Sequence, residues 1–208
     1  MSKRPSTTEY RKDLSCKILE VAWKQFTSKG LKAVRMDDIA NELSISKRTL
    51  YEIFPNKEEL ICASFKWNLE KSAKDFASRI SEDSDAMDIL AEVFKKRLQQ
   101  SAETNPIIIE EMQSFPMVSE FIEQIRIKHR EHARMFYIRG QEEGFFRTDV
   151  NLKLIGDIHH LLADSLCASK PALAYSPEEM FNTMLMLFVR SVCTEKGIKR
   201  FDSMIQHN

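Results

Sequence analysis

The chain has 208 residues, 43% hydrophobic and 30% charged, an ordinary soluble composition in which a core forms without staples. Its net charge of zero is a sum of two halves: residues 1–66 carry 13 Lys and Arg against 9 Asp and Glu, and the remainder 18 against 22. No apolar run approaches the roughly 18 residues of a membrane span, and the polar start MSKRPSTTEYRKD reads as lacking a signal peptide, so a cytoplasmic protein is expected. Five Gly, six Pro and no sustained alternation of apolar and polar residues predict an all-α protein. Cys16, Cys62, Cys167 and Cys193 have no CxxC and no metal-ligand spacing, and read as free thiols in a reducing compartment.

Residues 1 to about 9 read as a polar arm in which Lys3 and Arg4 are free to reach a polyanion. From about Tyr10 to Ser28, Leu14, Ile18, Val21, Ala22 and Phe26 form one apolar stripe of a helix, stopped by Gly30. A short helix over Met36 to Leu43 buries Ile39, Ala40 and Leu43 and shows Asp37, Asp38, Asn41 and Glu42 outward. Ser44, Ile45 and Ser46 make a turn, with Ile45 plugging the angle. A second short helix, Lys47 to Phe54, starts behind Ser46 as N-cap and turns Leu50, Ile53 and Phe54 inward. Lys47, Arg48, Thr49, Tyr51 and Glu52 face out, a surface suited to phosphate oxygens and base edges, although a merely solvated helix face looks the same. Pro55 ends this helix, and Asn56 with Glu59 spells a capping box for a long helix from Lys57 to about Ile80.

This run is how a helix-turn-helix is spelled, and it resembles the DNA-binding segment of the TetR family of bacterial transcription regulators. The residues that carry the resemblance are Asp38, Ile39, Ala40, Ser46, Lys47, Thr49, Leu50, Tyr51, Phe54, Lys57, Glu58 and Leu60. Three positions depart from the family pattern. Ser44 stands in the turn where relatives often have Gly, a place that calls for a left-handed backbone. Arg35 stands where Thr or Ser often caps the first helix of the pair, and is read instead as a phosphate contact. Arg48 replaces a small residue and is the candidate for reading a guanine. The resemblance implies that Ser46, Lys47, Thr49, Tyr51 and Lys57 contact DNA, and Arg35 and Arg48 join them on the chemistry of their side chains. It further implies a helix-turn-helix domain over 1–56 and an effector-binding and dimerisation domain over 57–208, with 57–80 the linking helix.

Further along, a helix from about Asp85 to Glu103 carries Ile89, Leu90, Val93, Phe94 and Leu98, and Asn105 and Pro106 end it. Ile107 to Met112 reads as a short apolar turn, and Met117 to about Gly140 as a long helix with Phe121, Ile125, Met135, Phe136 and Ile138. Within EGFFRTDVN, Gly144, Phe145, Asp149 and Val150 give a second, shorter match to the family, and Asn151 caps the next helix. Two apolar helices are expected to close the chain. The first runs from Leu152 to Ser169. The second runs from Pro177 to about Thr194 behind a Ser176 cap and a Glu179 capping box. The second is apolar around Met184 to Val189, more widely than one core face requires. This resembles the family's four-helix dimer interface, with two helices from each subunit.

Asp157, His160 and Asp164 share a helix face beside His159, but a di-metal bundle needs Glu-x-x-His twice, so no metal and no cofactor is expected. No phosphate loop or nucleophile motif appears, and no enzymatic activity is expected. The reading is a homodimeric repressor that binds a pseudo-palindromic double-stranded DNA operator and is released by a hydrophobic small molecule. The expected pocket wall is Phe65, Phe94, Leu98, Ile108, Met112, Phe121, Ile125, Met135 and Leu162. The alternatives are a helical-bundle enzyme or small-molecule carrier with a structural helix-turn-helix, or a DNA-binding activator without effector.

Overall fold

A computed structural model describes residues 7–103, 105, 107–167 and 175–205. The arm residues Lys3 and Arg4, and the side chains of Leu98, His159, His160 and Asp164, lie outside the described residues. Ten helices follow one another: α1 (Thr7–Lys29), α2 (Met36–Glu42), α3 (Lys47–Ile53), α4 (Lys57–Arg79), α5 (Ala86–Glu103), α6 (Ile107–Met112), α7 (Pro116–Glu142), α8 (Leu152–Cys167), α9 (Pro177–Val192) and α10 (Glu195–Ile205). No strand occurs among the described residues, only one isolated bridge between Phe146 and Cys193. The all-α class with an N-terminal helix-turn-helix is as expected, and no described helix is long and apolar enough to cross a membrane.

The chain divides into two compact units, Met1–Ala73 with Thr104–Glu123, and Lys74–Glu103 with Gln124–Asn208. By compactness the division thus falls elsewhere than the functional boundary expected between residues 56 and 57. The start of α4, with α6 and the start of α7, packs with the helix-turn-helix.

In the first unit, Leu14, Ile18, Ala22 and Phe26 recur every four residues along α1, so one face of that helix lies in the core. They meet Ile39 and Ala40 of α2, Leu50 of α3, and Leu60, Ile61 and Phe65 of α4. Helices as short as α2 and α3 hold their shape through this burial, since neither is long enough to be stable alone. Gly30 ends α1 at φ +91, as its sequence position predicted. A Cβ there would also lie 2.8 Å from Oε2 of Glu111 and 3.0 Å from Ile107. The bareness of Gly30 lets α6 approach, and the buried Glu111 carboxylate accepts the Lys32 backbone N–H at 3.0 Å. Residues 107–112 are therefore a helix rather than the apolar turn expected. Asn105 opens it by accepting from the Ile107 N–H, and Ile108 sinks into the core.

The second unit has its own core: Ala86, Met87 and Leu90 of α5, Phe145 and Phe146 of the α7–α8 corner, Leu185, Val189 and Val192 of α9, and Phe201 of α10. Asp85 and Asp88 cap α5 reciprocally, and Asn151 caps α8 by accepting from Leu154 N–H at 3.0 Å. Ser176 and Glu179 form the predicted capping box of α9, with Pro177 at its start.

The two apolar helices do not close the chain, because α10 comes after them. Thr194 opens α10 by accepting from the Gly197 N–H, and its own N–H donates to the Phe145 carbonyl at 2.9 Å. A Cβ at Gly197 would stand 2.4 Å from that carbonyl, so only glycine lets α10 close over the corner. Arg200 pins the same helix to Asp88 at 2.7 Å and Asp85 at 3.3 Å.

Candidate nucleic-acid interface

The helix-turn-helix is held by its turn and caps. Ser44 has φ +53, the one positive value outside glycine among the described residues, at the position where the sequence called for a left-handed backbone. The backbone N–H groups of Ser44 and Ile45 donate to the carbonyls of Asn41 and Ala40, which turns the chain sharply after α2. Ser46 then caps α3, its Oγ accepting from Thr49 N–H at 3.0 Å and lying 2.8 Å from Thr49 Oγ1. The hydroxyls of Ser46 and Thr49 are therefore engaged with each other.

At α2 the cap is one-sided. Asp38 accepts the Arg35 backbone N–H at 2.8 Å, while a guanidinium has only donors and cannot return the bond to the helix. The Arg35 side chain is left exposed, with no ion pair among the described residues. The Asn56 and Glu59 pair also differs from a full box. Asn56 Oδ1 accepts from Glu59 N–H at 2.9 Å, but the Glu59 carboxylate takes the Asn56 side-chain amide at 2.8 Å.

On α3, Leu50 is fully buried and Phe54 nearly so, which fixes the opposite face outward. Arg48 lies there with its side chain 89% exposed and bonds Glu52 at 2.9 Å, one turn along the helix. Lys47 bonds Asp37 of α2 at 2.6 Å, with side-chain exposures of 63% and 42%. The hydrogen bond to Asp37, with its charge, holds the Lys47 ammonium above the usual lysine range. Tyr51 is exposed. Of the seven expected DNA contacts, Arg35, Ser46, Lys47, Arg48 and Tyr51 are exposed, whereas Thr49 and Lys57 are half-buried.

Lys57 has intramolecular partners that the sequence did not show. Its ammonium donates to the Lys32 carbonyl at 3.2 Å and stands 5.7 Å from the Phe115 ring centre. Burial lowers its pKa, and the charges of Glu111 and Asp38 act the other way. Glu111 and Lys57 thus grip both backbone polar groups of one residue, Lys32, in the turn between α1 and α2.

The expected pocket wall is divided between the units. Phe65, Ile108, Met112 and Phe121 pack in or against the core of the first. In the second, Phe94 packs against the core and stacks edge-on with Phe201, Ile125 is half-buried, and Met135 and Leu162 are exposed. A cleft of about 350 Å³ in the second unit is lined by Arg79, Asp88, Glu92 and Lys95 among others, which makes it charged rather than apolar. No group of three potential metal ligands occurs among the described residues.

A three-helix core that presents a short capped helix on a sharp turn defines a helix-turn-helix protein of the DNA-binding class. Residues 18–63 match the family model of bacterial regulatory proteins of the tetR family. Over 43 residues the chain is 51% identical to an uncharacterised helix-turn-helix transcriptional regulator, YhgD of Bacillus subtilis, a match that covers 21% of this chain and 22% of that protein. The chain thus spans about a fifth of the curated relative it matches. Across nearly its whole length the fold is similar to a transcriptional regulator from Saccharomonospora viridis solved in complex with choline. The TM-score is 0.71 at 19% identity, over 88% of this chain and 100% of that one. It is equally similar to a TetR-family regulator from Agrobacterium tumefaciens, with a TM-score of 0.71 at 14% identity and the same coverage. The helix-turn-helix of this chain belongs to the TetR family, and the rest of the chain has the fold of such regulators.

Proposed function

We propose that the protein is a homodimeric transcription regulator, a repressor, whose two α3 helices enter successive major grooves of a pseudo-palindromic operator. The observation that carries this reading is α3 itself. Its inner face is locked into the α1–α2–α4 core by Leu50, while Lys47, Arg48 and Tyr51 stand outward from a helix just long enough to lie in a groove. Arg48 is the base reader, since a guanidinium offers two parallel donors to guanine O6 and N7. Arg35, Ser46, Lys47, Thr49 and Tyr51 hold the backbone. Lys57 adds a phosphate contact from its two remaining N–H groups while its third stays on Lys32.

Pairing of two copies is supported by the second unit. Leu154, Ile158, Leu161 and Leu162 are exposed along one stripe of α8, as is Leu187 on α9. An apolar stripe of this extent in water marks a surface that a partner covers. Two copies joined there would set the two α3 helices one helical turn of DNA apart, about 34–36 Å, or a multiple of it.

Control by a small molecule is supported by α4, which is continuous from the first unit into the second. A structural neighbour was solved in complex with choline, which supports a small ligand for this chain as well. An apolar effector held by residues such as Phe94 and Ile125 would favour a spacing of the heads that does not fit the operator. A coupling of about 1–3 kcal/mol is enough for release.

Selection of duplexes from a random pool, repeated with Arg48→Ala, tests this. An inverted repeat should be enriched, and Arg48→Ala should erase the preference at one position in each half-site, weakening that duplex about tenfold or more. Enrichment of the same sequence by both proteins would remove α3 as the reading helix.

A further inference from the structure

The basic character of the N-terminal half does not lie on its reading head. Residues 35–54 carry three cations, Arg35, Lys47 and Arg48, against four carboxylates, Asp37, Asp38, Glu42 and Glu52. Both cations of α3 are already paired, Arg48 with Glu52 along the same helix and Lys47 with Asp37 across the angle between α2 and α3. Pairs this exposed contribute little to folding, because water screens them and ordering two long side chains costs entropy. Their effect falls instead on what else the cations can bind.

We infer that Asp37 is a positioning residue for DNA binding: it holds Lys47 back from the phosphate backbone, so that Lys47 engages only where the duplex pulls harder than Asp37 does. The inference rests on the proposed placement of α3 on DNA. Its physics is that of counterion exchange. A lysine that leaves water for a phosphate releases a cation condensed on the DNA, and that release drives non-specific binding. A lysine that leaves Asp37 for a phosphate frees a carboxylate, which recruits a cation in turn, so the net release is close to zero. Asp37 thereby removes about one phosphate from the count that the head can neutralise on arbitrary sequence. It belongs to α2, and its Oδ2 lies 2.6 Å from Lys47 Nζ, so the restraint acts between the two helices of the motif rather than along one of them.

The test uses the full-length protein and a random-sequence duplex, with affinity measured by fluorescence anisotropy across a salt series. Asp37→Asn should bind about fivefold to tenfold more tightly at 0.1 M salt, with the log–log salt slope steeper by about 0.9, one phosphate's worth. Asp37→Glu, which keeps the charge, should retain the wild-type slope. In a Lys47→Ala background, Asp37→Asn should change neither affinity nor slope. If Asp37→Asn tightens binding equally without Lys47, the carboxylate merely repels DNA and the inference is overturned. An unchanged slope in the single variant overturns it as well. If wild type and every variant alike show no salt-dependent binding, the DNA-binding reading beneath it fails, and this inference with it.

Discussion

The two units of the chain bury their apolar residues to different degrees. In the first, Ile18, Phe26, Ile39 and Leu50, which the helical periodicity places inward, have no exposed surface, and neither do Leu31, Leu60 and Ile61, while Val21, Leu43 and Ile53 are half-buried against the same core. In the second, a closed core around Phe146, Val189 and Phe201 stands beside helices that leave Leu154, Leu161 and Leu187 more than half exposed. The first unit thus completes its own core, while the second shows water an apolar stripe. On the proposed reading this is a division of labour, with a rigid head and a body completed by a second copy.

The sharpest way to break that contrast is to cut large side chains from each region. Phe26→Ala should cost about 3–5 kcal/mol of unfolding free energy, because it empties a fully enclosed site. Urea denaturation reads this directly, and a loss below about 1 kcal/mol would mean that the head is not closed. By contrast, Leu161→Asp with Leu187→Asp should leave the helical circular dichroism of the chain in place. It should raise the dimer dissociation constant about a hundredfold or more, as expected for charges placed in an apolar contact. Sedimentation velocity detects the change, and an unaltered sedimentation coefficient would show that α8 and α9 do not pair.

Smaller effects sharpen the comparison. Ser44 holds a left-handed backbone at φ +53, so Ser44→Gly should stabilise the protein by about 0.5–1 kcal/mol, and Ser44→Val should destabilise it by more than that. Cys193 lies in the closed part of the second unit, where burial pushes its thiol from the usual 9.0 up to about 11. Its folded pKa is raised, so its contribution to stability is complete below pH 9 and is lost as the pH climbs from 9 through 11. The fall in thermal stability of wild type over that interval should exceed that of Cys193→Ala. Equal falls would mean that this thiol is not held in a dry core.

How much of this is legible in the sequence depends on how local each signal is. Ser46, Asn151, Ser176 and Glu179 are caps whose partners lie three residues away, and each caps as its spacing indicates. Ser44 is legible as a strained turn because relatives often use Gly there. The features that the sequence hides depend on distant partners. Lys57 reads as a free cation, yet its ammonium is bound to the carbonyl of Lys32, 25 residues earlier, and α6 reads as a turn because its anchor, Glu111, meets a residue 79 positions away. The tenth helix escapes notice because Gly197 breaks a short pattern. Ile198, Phe201 and Met204 recur every three residues behind the Thr194 cap, and are the signal that marks it. The expected pocket wall rests on hydrophobicity alone, which does not separate a core residue such as Ile108 from an exposed one such as Met135.

The central claim is that α3 reads DNA as one of a pair, and a selected duplex tests it most directly. Full-length protein should bind an intact inverted repeat as two copies per duplex. Its affinity for a single half-site should be lower by about a thousandfold, within the range that separates specific from non-specific binding, and Leu161→Asp with Leu187→Asp should reduce the intact site to the half-site value. Equal affinity for the intact repeat and the half-site, unaffected by that double substitution, would contradict the account.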